Sequence, residues 1–161
     1  MYSHLEDYIY ELYLGISITQ PKELDLQTVA KKLSVEILDK KKTYMFEDEI
    51  FLEPGTDRER WMNFGHEICH YLRHCGNQLN MHQLFIDLQE YQADYFAYHF
   101  CVPTFMLEDL KVNCVADIMK HFNVDCEFAL RRLEMYENKQ IDYSPNYATY
   151  QIAENQNNRN Y

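Results

Sequence analysis

Residues 66–70 read His-Glu-Ile-Cys-His, and the two histidines four residues apart constrain this chain more than any other feature. On an α-helix, residues four apart lie on one face, so both imidazoles converge on one spot. Phe64, Ile68, Tyr71 and Leu72 flank the pair and make the helix largely buried. An amphipathic helix with two exposed histidines is the competing reading. The flanking residues count against it, because on a largely buried helix a His-Glu-His set without a partner is costly.

That geometry suits a metal. Zn²⁺ takes neutral imidazole nitrogen readily. Glu67 follows His66 directly, close enough to reach a water on the ion without being a ligand. A carboxylate there acts as general base towards a water of lowered pKa. A catalytic zinc also needs a third protein ligand and an open position. Glu90 stands twenty residues beyond His70, on the next predicted helix, and Asp94 is four residues further on the same face. Alone, Glu90 and Asp94 would read as a solvated acidic face together with Asp87. Behind His66 and His70 they read as part of a metal site.

The rest of the chain supplies a frame. Helical spacing predicts helices over residues 4–14 and 24–33. Residues 34–38 alternate as a half-buried strand, and 43–46 with 50–52 read as a hairpin or two strands of a small antiparallel sheet. Pro54–Gly55 ends the sheet, and Thr56 or Asp57 can cap a long helix running to about Cys75. Residues 76–80 read as a loop. A second long helix is predicted from about 83 to 101, ended by Pro103. Shorter helices follow at 104–111, 115–121 and 125–137. From residue 144 the chain is rich in Asn, Gln and Tyr and loses periodicity. The expectation is one α+β domain over 1–137, with 104–137 as a C-terminal helical section and 138–161 as a flexible polar tail.

Composition narrows the function. With 161 residues and 47% apolar, one domain with a real core is expected. Lys and Arg total 15 against 26 Asp and Glu, a net charge of −11. Such a chain is not drawn to nucleic acid or to an anionic membrane. The N-terminal segment has no basic region followed by an apolar run, so no secretory signal is expected. No stretch approaches the length of a membrane span. The five cysteines are odd in number and lack CxxC spacing, as expected of free thiols in a reducing cytoplasm. A cytoplasmic protein is the expectation.

The pattern HExxH, loop, ExxxD resembles that of the glutamate-ligand zinc peptidases. The segment GHEICHYLRH, then Glu90 to Ala97 (EYQADYFA), then Cys101-Val102-Pro103 resembles the ImmA/IrrE family of metallopeptidases in particular. The resemblance spans about residues 24–137. It implies a small sheet packed on a helical body with a zincin-like active-site helix. It implies zinc held by His66, His70 and Glu90, catalysis by Glu67, and an Asp94 that orients a ligand histidine. It also implies a protein substrate, a helix-turn-helix transcriptional repressor of a phage or mobile element. This chain departs from the family in having Cys69 where Gly is frequent and Asp94 where Asn is frequent.

Other residues carry weaker signals. His74 continues the face of His70 and is expected beside the cleft rather than on the metal. Cys69 is expected as a small core residue rather than a redox or metal group. His82 is expected in a loop, and His4 and His121 at the surface. Tyr71, Tyr95, Tyr98 and His99 are the candidates for oxyanion stabilisation, with no means of choosing among them. Ile50–Leu52 reads equally as an edge strand for substrate pairing and as an ordinary core strand. The leading function is a zinc-dependent endopeptidase. The alternatives are an anti-repressor that binds the repressor without cutting it, and a structural zinc protein.

Overall fold

The first helix begins where local chemistry satisfies its free amides. Ser3 Oγ accepts the Glu6 N–H at 3.3 Å and Glu6 Oε2 accepts the Ser3 N–H at 2.6 Å, a reciprocal cap that opens α1 (His4–Gly15). Asp25 caps α2 (Leu26–Lys32) in the simpler way, through the Thr28 N–H. The structure, a computed structural model, describes residues 2–73 and 81–142. The expected loop at 76–80, and Cys75 and His74, lie outside the described residues.

Three short strands follow: β1 (Glu36–Asp39), β2 (Tyr44–Phe46) and β3 (Glu49–Leu52). The sheet is mixed, which corrects the expected antiparallel one. β3 lies in the middle, antiparallel to β2 and parallel to β1. The pairing of β2 with β3 was legible as a hairpin. The position of β1 was not, because alternation reports a strand's faces and says nothing about its neighbours. The physical preference is clear in the burial. Ile50, Phe51 and Leu52 are all buried, whereas β1 and β2 keep their ends exposed. The most apolar strand therefore takes the centre. This also overturns the reading of Ile50–Leu52 as an edge; the edges are β1 and β2.

Thr56 and Glu59 form a second reciprocal cap and launch α3 (Asp57–Arg73). α4 (Gln83–Cys101) packs along it. The two helices approach closely through small residues. A Cβ on Gly65 would stand 2.6 Å from Cys101 Sγ and 3.6 Å from Ala97. Around this crossing sits an aromatic core, with Trp61, Phe64 and Phe100 in mutual contact, Phe96 stacked on Phe100, and Tyr13 stacked on Phe100 at 5.2 Å. The Tyr13 hydroxyl donates to the Phe100 carbonyl at 2.8 Å, so its one polar atom is satisfied in the core.

After Pro103 come α5 (Thr104–Leu110), α6 (Val115–His121) and α7 (Cys126–Asp142). α7 runs past the expected boundary at 137. Lys139 explains part of that extension, since its Nζ lies 2.6 Å from Glu6 Oε2 and ties α7 to α1. Arg132, fully buried, donates to the Val102 carbonyl at 3.0 Å and to Thr104 Oγ1 at 2.7 Å. Thr104 in turn donates to Glu6 Oε1 at 2.6 Å. The α+β architecture is as expected: a small sheet beside a helical body, closed by C-terminal helices.

Candidate metal centre

The close crossing of α3 and α4 sets the middle of one helix against the middle of the other. His66 and His70 project from α3 and meet Glu90 from α4. Among the described residues, these three bring ligand atoms to within 4.8 Å of one another. His66 Nε2 lies 3.3 Å from His70 Nε2 and 3.2 Å from Glu90 Oε2. His70 Nε2 lies 3.6 Å from Glu90 Oε1. Donors about 2.0–2.1 Å from one ion in a tetrahedral arrangement stand about 3.3–3.4 Å apart. The three residues therefore fit a metal in number, chemistry and spacing.

Asp94, one turn beyond Glu90, reaches the other nitrogen of His66. Its Oδ1 lies 2.8 Å from His66 Nδ1. A carboxylate only accepts, so Nδ1 carries the hydrogen and donates it. That fixes the tautomer and leaves the Nε2 lone pair facing the cluster. Side-chain exposure rises from 10% at His70 to 23% at His66 and 44% at Glu90. The cluster is thus rooted in the core on the His70 side and opens to solvent on the Glu90 side.

Glu67 is buried beside His66. Burial pushes its carboxyl up to about 7; the His66 charge works against that rise and the Glu90 charge adds to it. Cys69 is buried, with its thiol directed at the Gln92 carbonyl at 3.9 Å. Burial pushes the thiol up to about 12, in keeping with the expected core role rather than a reactive one.

The remaining candidates separate. Tyr71 follows His70, and its hydroxyl is hydrogen-bonded to Asp48 in the turn between β2 and β3. Tyr95 packs on His99 at 4.8 Å between ring centroids, and Tyr98 on Phe128 of α7 at 4.4 Å. His99 is buried with neither ring nitrogen hydrogen-bonded. Burial and the Arg132 charge lower it to about 3, so it stays neutral. His82 caps α4 through Nδ1, which accepts the Leu84 N–H. His4 and His121 are exposed, as expected.

One contributor to the site escaped the sequence reading. Gly65 permits the close helix approach that brings Glu90 and Asp94 to His66. Its signal was present, as a glycine in the interior of an otherwise strong helix.

Comparison with known proteins identifies the family of the chain. The family model of the IrrE N-terminal-like domain, a peptidase family, matches residues 21–134. The chain is 40% identical over 155 residues to the phage-like element PBSX protein XkdA of Bacillus subtilis (strain 168), covering 85% of this chain and 75% of that protein. It is 34% identical over 148 residues to the protein YqaB of the same strain, covering 85% of this chain and 86% of that one. No solved structure matches the chain. The match over most of its length, with the relatives it shares, places the chain in the IrrE N-terminal-like family of peptidase domains.

Proposed function

We propose that the chain is a zinc-dependent endopeptidase in which His66, His70 and Glu90 hold the ion and Glu67 is the general base. The observation that carries the reading is the spacing of the donor groups: His66 Nε2 stands 3.3 Å from His70 Nε2 and 3.2 Å from Glu90 Oε2, and His70 Nε2 stands 3.6 Å from Glu90 Oε1. When bound, zinc supplies a Lewis acid and lowers the pKa of an attacking water. Glu67 takes a proton from that water and passes it to the leaving amine. Asp94 holds His66 in the tautomer and orientation the site needs. The edge strand β2, with Tyr44 and Phe46 exposed, offers free backbone groups on which an extended substrate can pair.

The proposed substrate is a helix-turn-helix repressor of a phage or mobile element, met in the cytoplasm. Two observations support it: the likeness to a protein of a phage-like element, and the net charge of −11, which favours a basic partner. No helix among the described residues is long and apolar enough to cross a membrane. The test is to mix the chain with the candidate repressor and zinc and look for a discrete product. Glu67→Gln should reduce cleavage by about 10²–10⁴-fold. Relief of repression by Glu67→Gln as strong as by the wild type would establish the non-cleaving anti-repressor instead.

A further inference from the structure

The helix that carries Glu90 has a second face that the fold leaves uncovered. Leu84 is 71% exposed, Leu88 49%, Tyr91 67% and Tyr95 37%. Their spacing of four, three and four residues draws one seam along α4, about 16 Å long at the helical rise. That 3.5-residue rhythm is the one by which a helix lies along another helix. Ala93, Phe96, Ala97 and Phe100 occupy the opposite face and are buried. With Phe85, α4 carries five of the eleven exposed large hydrophobics among the described residues, so the exposure is concentrated rather than scattered.

The flank of the seam identifies what fits it. Asp87 and Asp94 lie along one side, both exposed, in a chain of net charge −11. A second copy of this chain would bring acidic flanks together, which is unfavourable. A helix with an apolar stripe and basic flanks meets both demands. We propose that the α4 seam is a docking surface for an amphipathic basic helix of the protein substrate. Tyr91 adjoins Glu90, so a helix seated there delivers the neighbouring chain to the metal cluster. The proposal rests on the reading that the substrate is a protein, and deepens it by naming the feature recognised.

The test reads binding and so does not depend on cleavage. The probe is a fluorescent peptide about three heptads long, with Leu at seam positions and Lys on the flanks. It is titrated with the full-length Glu67→Gln protein, and anisotropy is followed. Binding should weaken at least tenfold when Leu84→Gln, Leu88→Gln and Tyr91→Gln are added together, and a few-fold for Leu84→Gln alone. A counterpart peptide with Glu flanks should bind at least tenfold more weakly than the Lys peptide. Equal binding of the Lys peptide to the triple variant, or of the Glu peptide to the unaltered seam, would overturn the proposal. So would a wild-type dimer dispersed by the triple variant, since the seam would then be a self-interface. Failure to cleave any substrate would count against the peptidase reading alone.

Discussion

The candidate metal cluster of His66, His70 and Glu90 and the Glu6–Thr104–Arg132–Lys139 cluster are both built from polar and ionisable side chains and differ in what those side chains meet. In the second, every charge is met from within the chain. Glu6 accepts from Ser3, Thr104 and Lys139, and Arg132 is held by Thr104 and the Val102 carbonyl. Burial works to raise the Glu6 carboxyl, yet those hydrogen bonds outweigh it and hold it at about 2. Burial pulls Arg132 down to about 10, which leaves it charged. The first cluster instead turns its ligand atoms on one point. Asp94 satisfies one nitrogen of His66, and then two ring nitrogens and a carboxylate oxygen crowd together. Closed polar networks fix how helices dock. Convergent donors facing one point are suited to holding something from outside the chain.

Breaking the closed network should produce the largest change in stability. Arg132→Ala removes the group that links α7 to the α4–α5 junction and should cost about 3–5 kcal/mol, because buried partners lose their counterpart. Denaturant unfolding measures it, and zinc affinity of the folded fraction should stay within about twofold, since the two clusters share no residue. A parallel loss of zinc affinity would show the clusters to be coupled.

Asp94→Ala acts on the open cluster instead. It should weaken metal binding by about 10–100-fold while leaving stability of the metal-stripped chain nearly unchanged. Competition against a chromogenic chelator reads the first quantity and thermal unfolding the second.

Acid should sharpen the contrast with the smallest effect per unit. His99 sits near the closed network with its folded value at about 3, against 6.5 for the free side chain. The folded state then binds fewer protons than the unfolded state below pH 6.5, so stability falls as pH drops from there towards 3. The contribution is at most about 1.4 kcal/mol per pH unit. Glu6 adds a loss of the same sign, but only between about pH 4.5 and 2. On metal-stripped protein, His99→Leu should flatten the profile between pH 6.5 and 5. An unchanged slope would mean that His99 is protonated in the folded chain.

The two clusters also differ in how well the sequence displayed them. His66, Glu67 and His70 lie within one helical turn, so their relation follows from helix geometry alone. Glu90 and Asp94 share a second helix, and only the pairing of the two helices had to be supplied by resemblance. The closed network was not legible. Thr104 meets Glu6 across 98 positions and Lys139 meets it across 133, and no local pattern joins them. The sheet failed in the same manner. Its hairpin is local and was read, whereas β1 reaches β3 past an intervening strand. The small residues Gly65, Ala97 and Cys101, which set the helix crossing, gain their meaning only as a pair of surfaces.

We propose that His66, His70 and Glu90 hold one metal that the fold does not need. The direct measurement is zinc content and far-UV circular dichroism of the wild type and of Glu90→Ala, before and after chelation. The expected result is about one tightly held zinc per wild-type chain, its loss in Glu90→Ala, and unchanged helical signal in both after stripping. Wild-type zinc content in Glu90→Ala, or collapse of the helical signal on chelation, would contradict it.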